Sequence, residues 1–130
     1  HEKDGKLQES AVLFYLSGRS PRKAIAAETN RFIFLDGTIE DLGKGIPAAQ
    51  MPVISDNYSK YIGWKGQGEI PAEKLEKMRE YIRQTHAEGK LFRWWGAPDT
   101  PLFKKFFIKE KVDLIGADDL KALSLILQNP

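Results

Sequence analysis

The stretch KLFRWWGAPDTPLFKKFFIKEKVDLIGADD, Lys90 to Asp119, decides the fold. It holds two short apolar runs, KLFRWWG and VDLIGAD, with one helical pattern between them. Thr100 reads as an N-cap and Pro101 as the first helical residue, where a missing N–H costs nothing. Leu102, Phe103, Phe106 and Phe107 recur at helical spacing as one apolar stripe, leaving Lys104, Lys105 and Lys109 to water. A strand, a helix and a second strand at this spacing form a parallel pair, because parallel neighbours need a long and usually helical crossover.

The same grammar recurs upstream. AVLFYLSG (Ala11 to Gly18), RFIFLDG (Arg31 to Gly37) and PVISDN (Pro52 to Asn57) are three more apolar runs that end in polar residues. Ser20 and Pro21 start a short helix through Ala24 and Ile25. Pro71 opens the longest helix, which runs to about Glu88 and closes on Gly89 as a left-handed C′ residue. Its Leu75, Met78 and Ile82 face the sheet. Asp118 or Asp119 caps a last helix whose expected buried face is Leu120, Leu123 and Leu127. The fold class is therefore α/β, with five parallel β/α units. Five units are either a complete doubly wound domain or about five-eighths of an eight-unit barrel, which needs about 250 residues. The very short first crossover suits a tightly curved barrel.

The opening HEKDGKLQES, residues 1–10, is polar and without apolar periodicity, and reads as an N-terminal extension of a processed or truncated polypeptide. Residues 11–130 read as one domain or one piece of one. A hydrophobic fraction of 42% supplies a core, and a net charge of +2 is too mild for a nucleic-acid surface. No apolar stretch approaches the roughly 18 residues that a membrane-spanning helix needs. The absence of cysteine excludes disulfides, thiol catalysis and zinc–thiolate sites. It leaves the compartment open, and export to the periplasm or the medium is compatible with a leader removed upstream.

In parallel sheets ligands bind beyond the carboxyl ends of the strands. All five runs place a polar group there: Ser17, Asp36, Asp56, Arg93 and Asp118. Alternation puts Arg93 and Trp95 on one side of their strand and Phe92 and Trp94 on the other. Arg93 can grip a phosphate bidentately with Trp95 lining the pocket, or pair with Asp56 or Asp36 inside a barrel. Trp94 reads as packing under helices. Asp36 and Asp56 can share a divalent cation or a sugar hydroxyl, or each can order its own loop. Ser17, with Gly18 and Arg19, can offer a hydroxyl and N–H groups to an anion, or simply precede a helix. The irregular segment from Tyr58 to Ile70 carries Tyr58, Lys60, Tyr61, Trp64 and Lys65 among glycines, and reads as a functional or mobile loop. Histidine is the decisive absence. His1 is terminal, and His86 falls late in a helix in a structural or solvent-facing place. No histidine pair, Ser-His-Asp set, metal ligand set, P-loop or dinucleotide fingerprint can be assembled.

FIFLDG, PVISDN and above all LFRWWGAPDTPLFKKFFIKEKVDLIGADDL resemble the C-terminal portion of the phosphatidylinositol-specific phospholipase C-like (PI-PLC-like) and glycerophosphodiester phosphodiesterase-like superfamily. The resemblance runs from Ala11 to the end, with most of its specificity in the last forty residues. It implies a partial TIM (β/α)8 barrel in which the five runs are strands 4–8, and a phosphoric diester hydrolase of lipid metabolism. The ligand implied is a phosphodiester small molecule or a phospholipid head group, with a divalent cation (Ca or Mg) in the intact protein. The family's catalytic histidines and most of its metal carboxylates come from the first strands. What carries over is a rear wall of Asp36, Asp56, Arg93 and Trp95, which Ser17 adjoins. The fragment alone is then expected to be inactive, and to self-associate or pair with the missing N-terminal portion. The alternative is a non-catalytic, doubly wound α/β module that binds a ligand or partner.

Overall fold

The computed structural model describes residues 2–3, 6–7, 12–28 and 30–128. The extension contributes a two-residue antiparallel pair, β1 (Glu2–Lys3) and β2 (Lys6–Leu7); His1 and Ala11 lie outside the described residues. The five runs become β3 (Phe14–Leu16), β4 (Ile33–Gly37), β5 (Val53–Asn57), β6 (Leu91–Trp95) and β7 (Leu114–Ile115). All pair in parallel, in the order β3-β4-β5-β6-β7, as a curled half-barrel sheet. Strand order follows chain order with no switch point, so the sheet is not doubly wound. Its edges are β3 and β7.

Crossovers are made by α1 (Arg22–Ala27), a short 3-10 turn (Ile39–Asp41), α2 (Tyr58–Tyr61), α3 (Ala72–Ala87) and α4 (Pro101–Lys109), and α5 (Leu120–Gln128) follows β7. Caps explain the boundaries. The Thr100 hydroxyl accepts the Phe103 N–H with Pro101 at the first helical position, and Asp119 accepts the Ala122 N–H at 2.9 Å. Gly89, just past α3, has φ +70°, a conformation that a Cβ strains. Arg31 ends the first crossover by donating to the carbonyls of Ile25, Ala26 and Glu28 at the C-terminal end of α1, where carbonyls run short of helical partners.

Register assigns the faces. Ile54 pairs with Phe92 and Asp56 with Trp94, and this parity meets the helices. Leu35, Ile54, Phe92 and Trp94 join Met51, Met78, Ile82, Phe103, Phe107 and Tyr58 in the core. Gly37 is required here by space: a Cβ would come within 2.3 Å of the Met51 sulfur and 2.8 Å of Ile54. Trp94 stands edge-on to Phe92, Tyr58 and Tyr81, which confirms it as a packing residue. The opposite parity carries Phe34, Asp36, Val53, Ser55, Arg93, Trp95 and Leu114.

Three expectations need correction. Lys104 does not face water: it is buried, and its ammonium meets Asp99 at 2.5 Å. A lysine's apolar stem can lie along a core while its charge finds a carboxylate. Leu102, Leu120 and Leu127 are exposed, and no residue of α5 is buried. The apolar spacing of α5 is real, and Leu123 is half-buried where α5 meets α4, but the described elements leave Leu120 and Leu127 uncovered. Tyr58 does not belong to a loop. It opens α2, lies in the core, and burial pushes its phenol up to about 12. On the concave face Phe34 and Val53 are fully buried while Leu91 and Trp95 are exposed, and further exposed apolar groups lie at Phe14 and Leu16 of edge strand β3 and on α5.

Candidate functional site

One cavity of about 440 Å³ opens beyond the carboxyl ends of β3, β4, β5 and β6. Ser17, Asp36, Asp56, Arg93 and Trp95 all line it, together with Gly18, Arg22, Gly37, Thr38 and Ser55. Each expected site residue reaches it because its strand ends there. Asp118 does not join them. It lines a neighbouring cavity, and its N–H donates to Asp99.

Asp36 is the anchor. Its Oδ2 accepts the hydroxyls of Ser17 from β3's end and Ser55 from β5, the latter at 2.9 Å. Its Oδ1 is buried with no hydrogen-bond partner among the described residues. A buried acceptor without a donor costs about 1–3 kcal/mol, so the residue stores unmet hydrogen-bonding capacity. Asp56 behaves differently. One oxygen accepts the Ile39 N–H at 3.1 Å and the other the Asn57 N–H at 2.8 Å. Both are spent on ordering loops, so the two aspartates do not form a shared carboxylate pair.

Arg93 makes no hydrogen bond or ion pair with any described residue, although both aspartates line the same cavity. The interior-pairing alternative is not what the structure adopts. Trp95 is 46% exposed beside it, with its ring free to cover a ligand. The second arginine is held away. Arg22 donates to both oxygens of Asp41, at 2.9 and 3.0 Å, and this pairing raises its guanidinium further above the usual arginine value. Asp41 also accepts the Thr38 N–H and hydroxyl, at 2.9 and 3.1 Å. Burial would push this carboxyl up, but Arg22 and Thr38 outweigh it and bring it down to about 2. The latch fixes the cavity wall made by the β4 loop and α1.

Sequence reasoning missed Ser55, Arg22, Thr38 and Asp41. Ser55 was readable by alternation, since its register partner is Arg93. Thr38-Ile-Glu-Asp41 carries a capping-box spacing. Arg22, a helix residue 19 positions before Asp41 in the chain, had no local signal.

His86 lies at the other end of the strands, where Nε2 meets Asp113 at 2.8 Å and Asp113 also accepts the Phe92 N–H at 2.7 Å. It is a structural tie between α3 and β6. No group of three or more metal-ligating side chains gathers among the described residues, and no helix among them is long and apolar enough to cross a membrane. No family model, characterised protein or solved structure matches this chain. Chemically, the cavity offers a guanidinium with no ion pair among the described residues, a carboxylate oxygen without a donor among them and an aromatic face. That set suits an anion attached to a hydroxylated group.

Proposed function

We propose that the chain is the C-terminal part of a TIM-barrel phosphoric diester hydrolase, of glycerophosphodiester or phosphoinositide type, and supplies the rear wall of its active site. One observation carries this reading: a single strand-end cavity gathers a guanidinium and a carboxylate oxygen that have no partner among the described residues. In it, Arg93 takes the phosphoryl oxygens through its planar fork, Asp36 accepts a head-group hydroxyl, and Trp95 covers the head group. Ser17 and Ser55 hold Asp36 in place for that hydrogen bond.

The five strands are then strands 4–8, and closure of the barrel requires three more. The general acid and base come from those units, because no histidine, cysteine or lysine lines this cavity. A divalent cation, calcium or magnesium, would be held mainly from there as well. Such ions take six or more oxygens, whereas the two aspartates here leave one carboxylate oxygen free. Asp36 Oδ1 is the oxygen that these two aspartates would turn toward such an ion.

The test is phosphate binding by the purified chain, followed through tryptophan fluorescence with phenyl phosphate as probe. Saturable binding that weakens about 10-fold or more in Arg93→Ala, with Lys105→Ala unchanged, is expected from loss of a charged hydrogen-bonding pair. Binding indifferent to Arg93 would remove the basis of the proposal.

A further inference from the structure

The two edges of the sheet are unlike and complementary. At one edge, Phe14 and Leu16 of β3 share the parity of Leu35, which faces the helices. Helices leave them uncovered all the same: Phe14 is 63% and Leu16 39% exposed. At the other edge, β7 is followed by a helix that outreaches the sheet. α5 touches α4, yet its Leu120 and Leu127, two turns apart on one face, stay exposed. One edge is a strand without a covering helix, and the other is a helix with no strand beneath its outer side.

We propose that a second copy of this chain joins the two: β3 of one copy adds in parallel to the free edge of β7 in the other, beneath its α5. The inference needs only the geometry of the sheet and does not rest on the phosphodiester reading. Parity and charge name the register. Ile115 pairs with Trp94 on the helix side of the sheet, so setting Leu16 opposite Ile115 keeps Phe14 and Leu16 under α5 and puts Tyr15 beside Leu114. A slip of one residue would turn both apolar side chains away from the helix.

In this register the loops that follow the two strands start level. Arg19 lies three residues beyond Leu16, and Asp118 lies three residues beyond Ile115. Both are exposed, and neither side chain makes an ion pair with a described residue. Opposite charges therefore meet at the mouth of the junction. Asp118 also lines a cavity of about 220 Å³ whose wall includes Arg93 and Trp95. Arg19 of the second copy then stands at the rim of that cavity, so the neighbour contributes a residue beside the site. The curl of the sheet sets the number of copies. Each chain is half a barrel, and a head-to-tail contact closes into a ring when its rotation allows. Two halves close with every edge paired, and the same junction occurs twice.

The experiment is sedimentation of the whole chain, wild type and charge-reversed, with hydrogen exchange of the same samples. The wild-type chain is expected to form a species of two copies at micromolar concentration, with exchange of the β3 and β7 amides slowing as that species forms. Arg19→Asp and Asp118→Arg each replace attraction by repulsion at both junctions, and each is expected to weaken the dimer about 10-fold or more. Both positions are exposed, so thermal unfolding of the dilute variants is expected to match wild type. Mixing the two variants is expected to restore the dimer, because one junction of the mixed pair is wild type and the other has its charges exchanged. Indifference to either reversal, or no recovery on mixing, would overturn the junction. So would a chain that stays monomeric up to millimolar concentration, or an association that leaves the β3 and β7 amides unprotected. Growth beyond two copies would overturn the closed ring.

Discussion

Replacing Asp41 by Asn removes the charge that holds Arg22 and Thr38 against the cavity wall while keeping the side chain's shape. Its carboxyl stands at about 2 in the fold against the ordinary 3.8 of an aspartate. At about 1.36 kcal/mol per unit, the ionised form is favoured by at most about 2.4 kcal/mol. Arg22 is 40% exposed, so solvent screens part of this, and about 1–2 kcal/mol is expected. The sign follows from a depressed folded value: the contribution is complete well above 3.8 and is lost as pH falls through about 2. Urea denaturation of the wild-type chain and Asp41→Asn should therefore differ by about 1–2 kcal/mol near pH 7 and by less than about 0.5 kcal/mol at pH 2. Because the latch shapes the wall, phenyl phosphate binding near neutrality should weaken in parallel. A stability difference as large at pH 2 as at pH 7 would mean that Asn disturbs packing and that the ion pair is not what holds this wall.

The two tryptophans of β6 should separate cleanly in the same denaturation assay. Trp94→Ala should cost about 3–5 kcal/mol by emptying a packed site, and Trp95→Ala should change stability by less than about 0.5 kcal/mol; similar losses would contradict the face assignment. The purified chain alone should hydrolyse no chromogenic phosphodiester at an enzymatic rate, and turnover abolished by Arg93→Ala would refute this. Sedimentation at micromolar concentration should show association through the exposed apolar groups of β3 and α5. A monodisperse 14.8 kDa species with cooperative unfolding would show instead that the five units suffice.

The strands and long helices were legible because their signals are local. A five-residue apolar run needs no knowledge of its partners, and Thr100-Pro101 or Gly89 mark a boundary by their own chemistry. Where the sequence misled, the deciding contact was distant or absent. Lys104 and Lys105 are adjacent identical residues, yet one is buried and the other exposed, because only the first reaches Asp99. Leu120 and Leu127 have the right spacing for a buried face, but spacing cannot supply something to bury them.

The candidate site divides along the same line. Its address at the strand ends was readable from β/α alternation, and Arg93 and Trp95 followed from the pleat. The roles of the two aspartates were not, since each ends an apolar run beside a turn residue. The structure separates them by what donates to them: backbone N–H groups fill both oxygens of Asp56, whereas serine hydroxyls fill only one of Asp36. A carboxylate satisfied by its own loop is part of the scaffold. One held by side chains with an oxygen left over is the position from which a ligand's hydroxyl can be recognised, and it lies in the cavity where Arg93 makes no ion pair with any described residue.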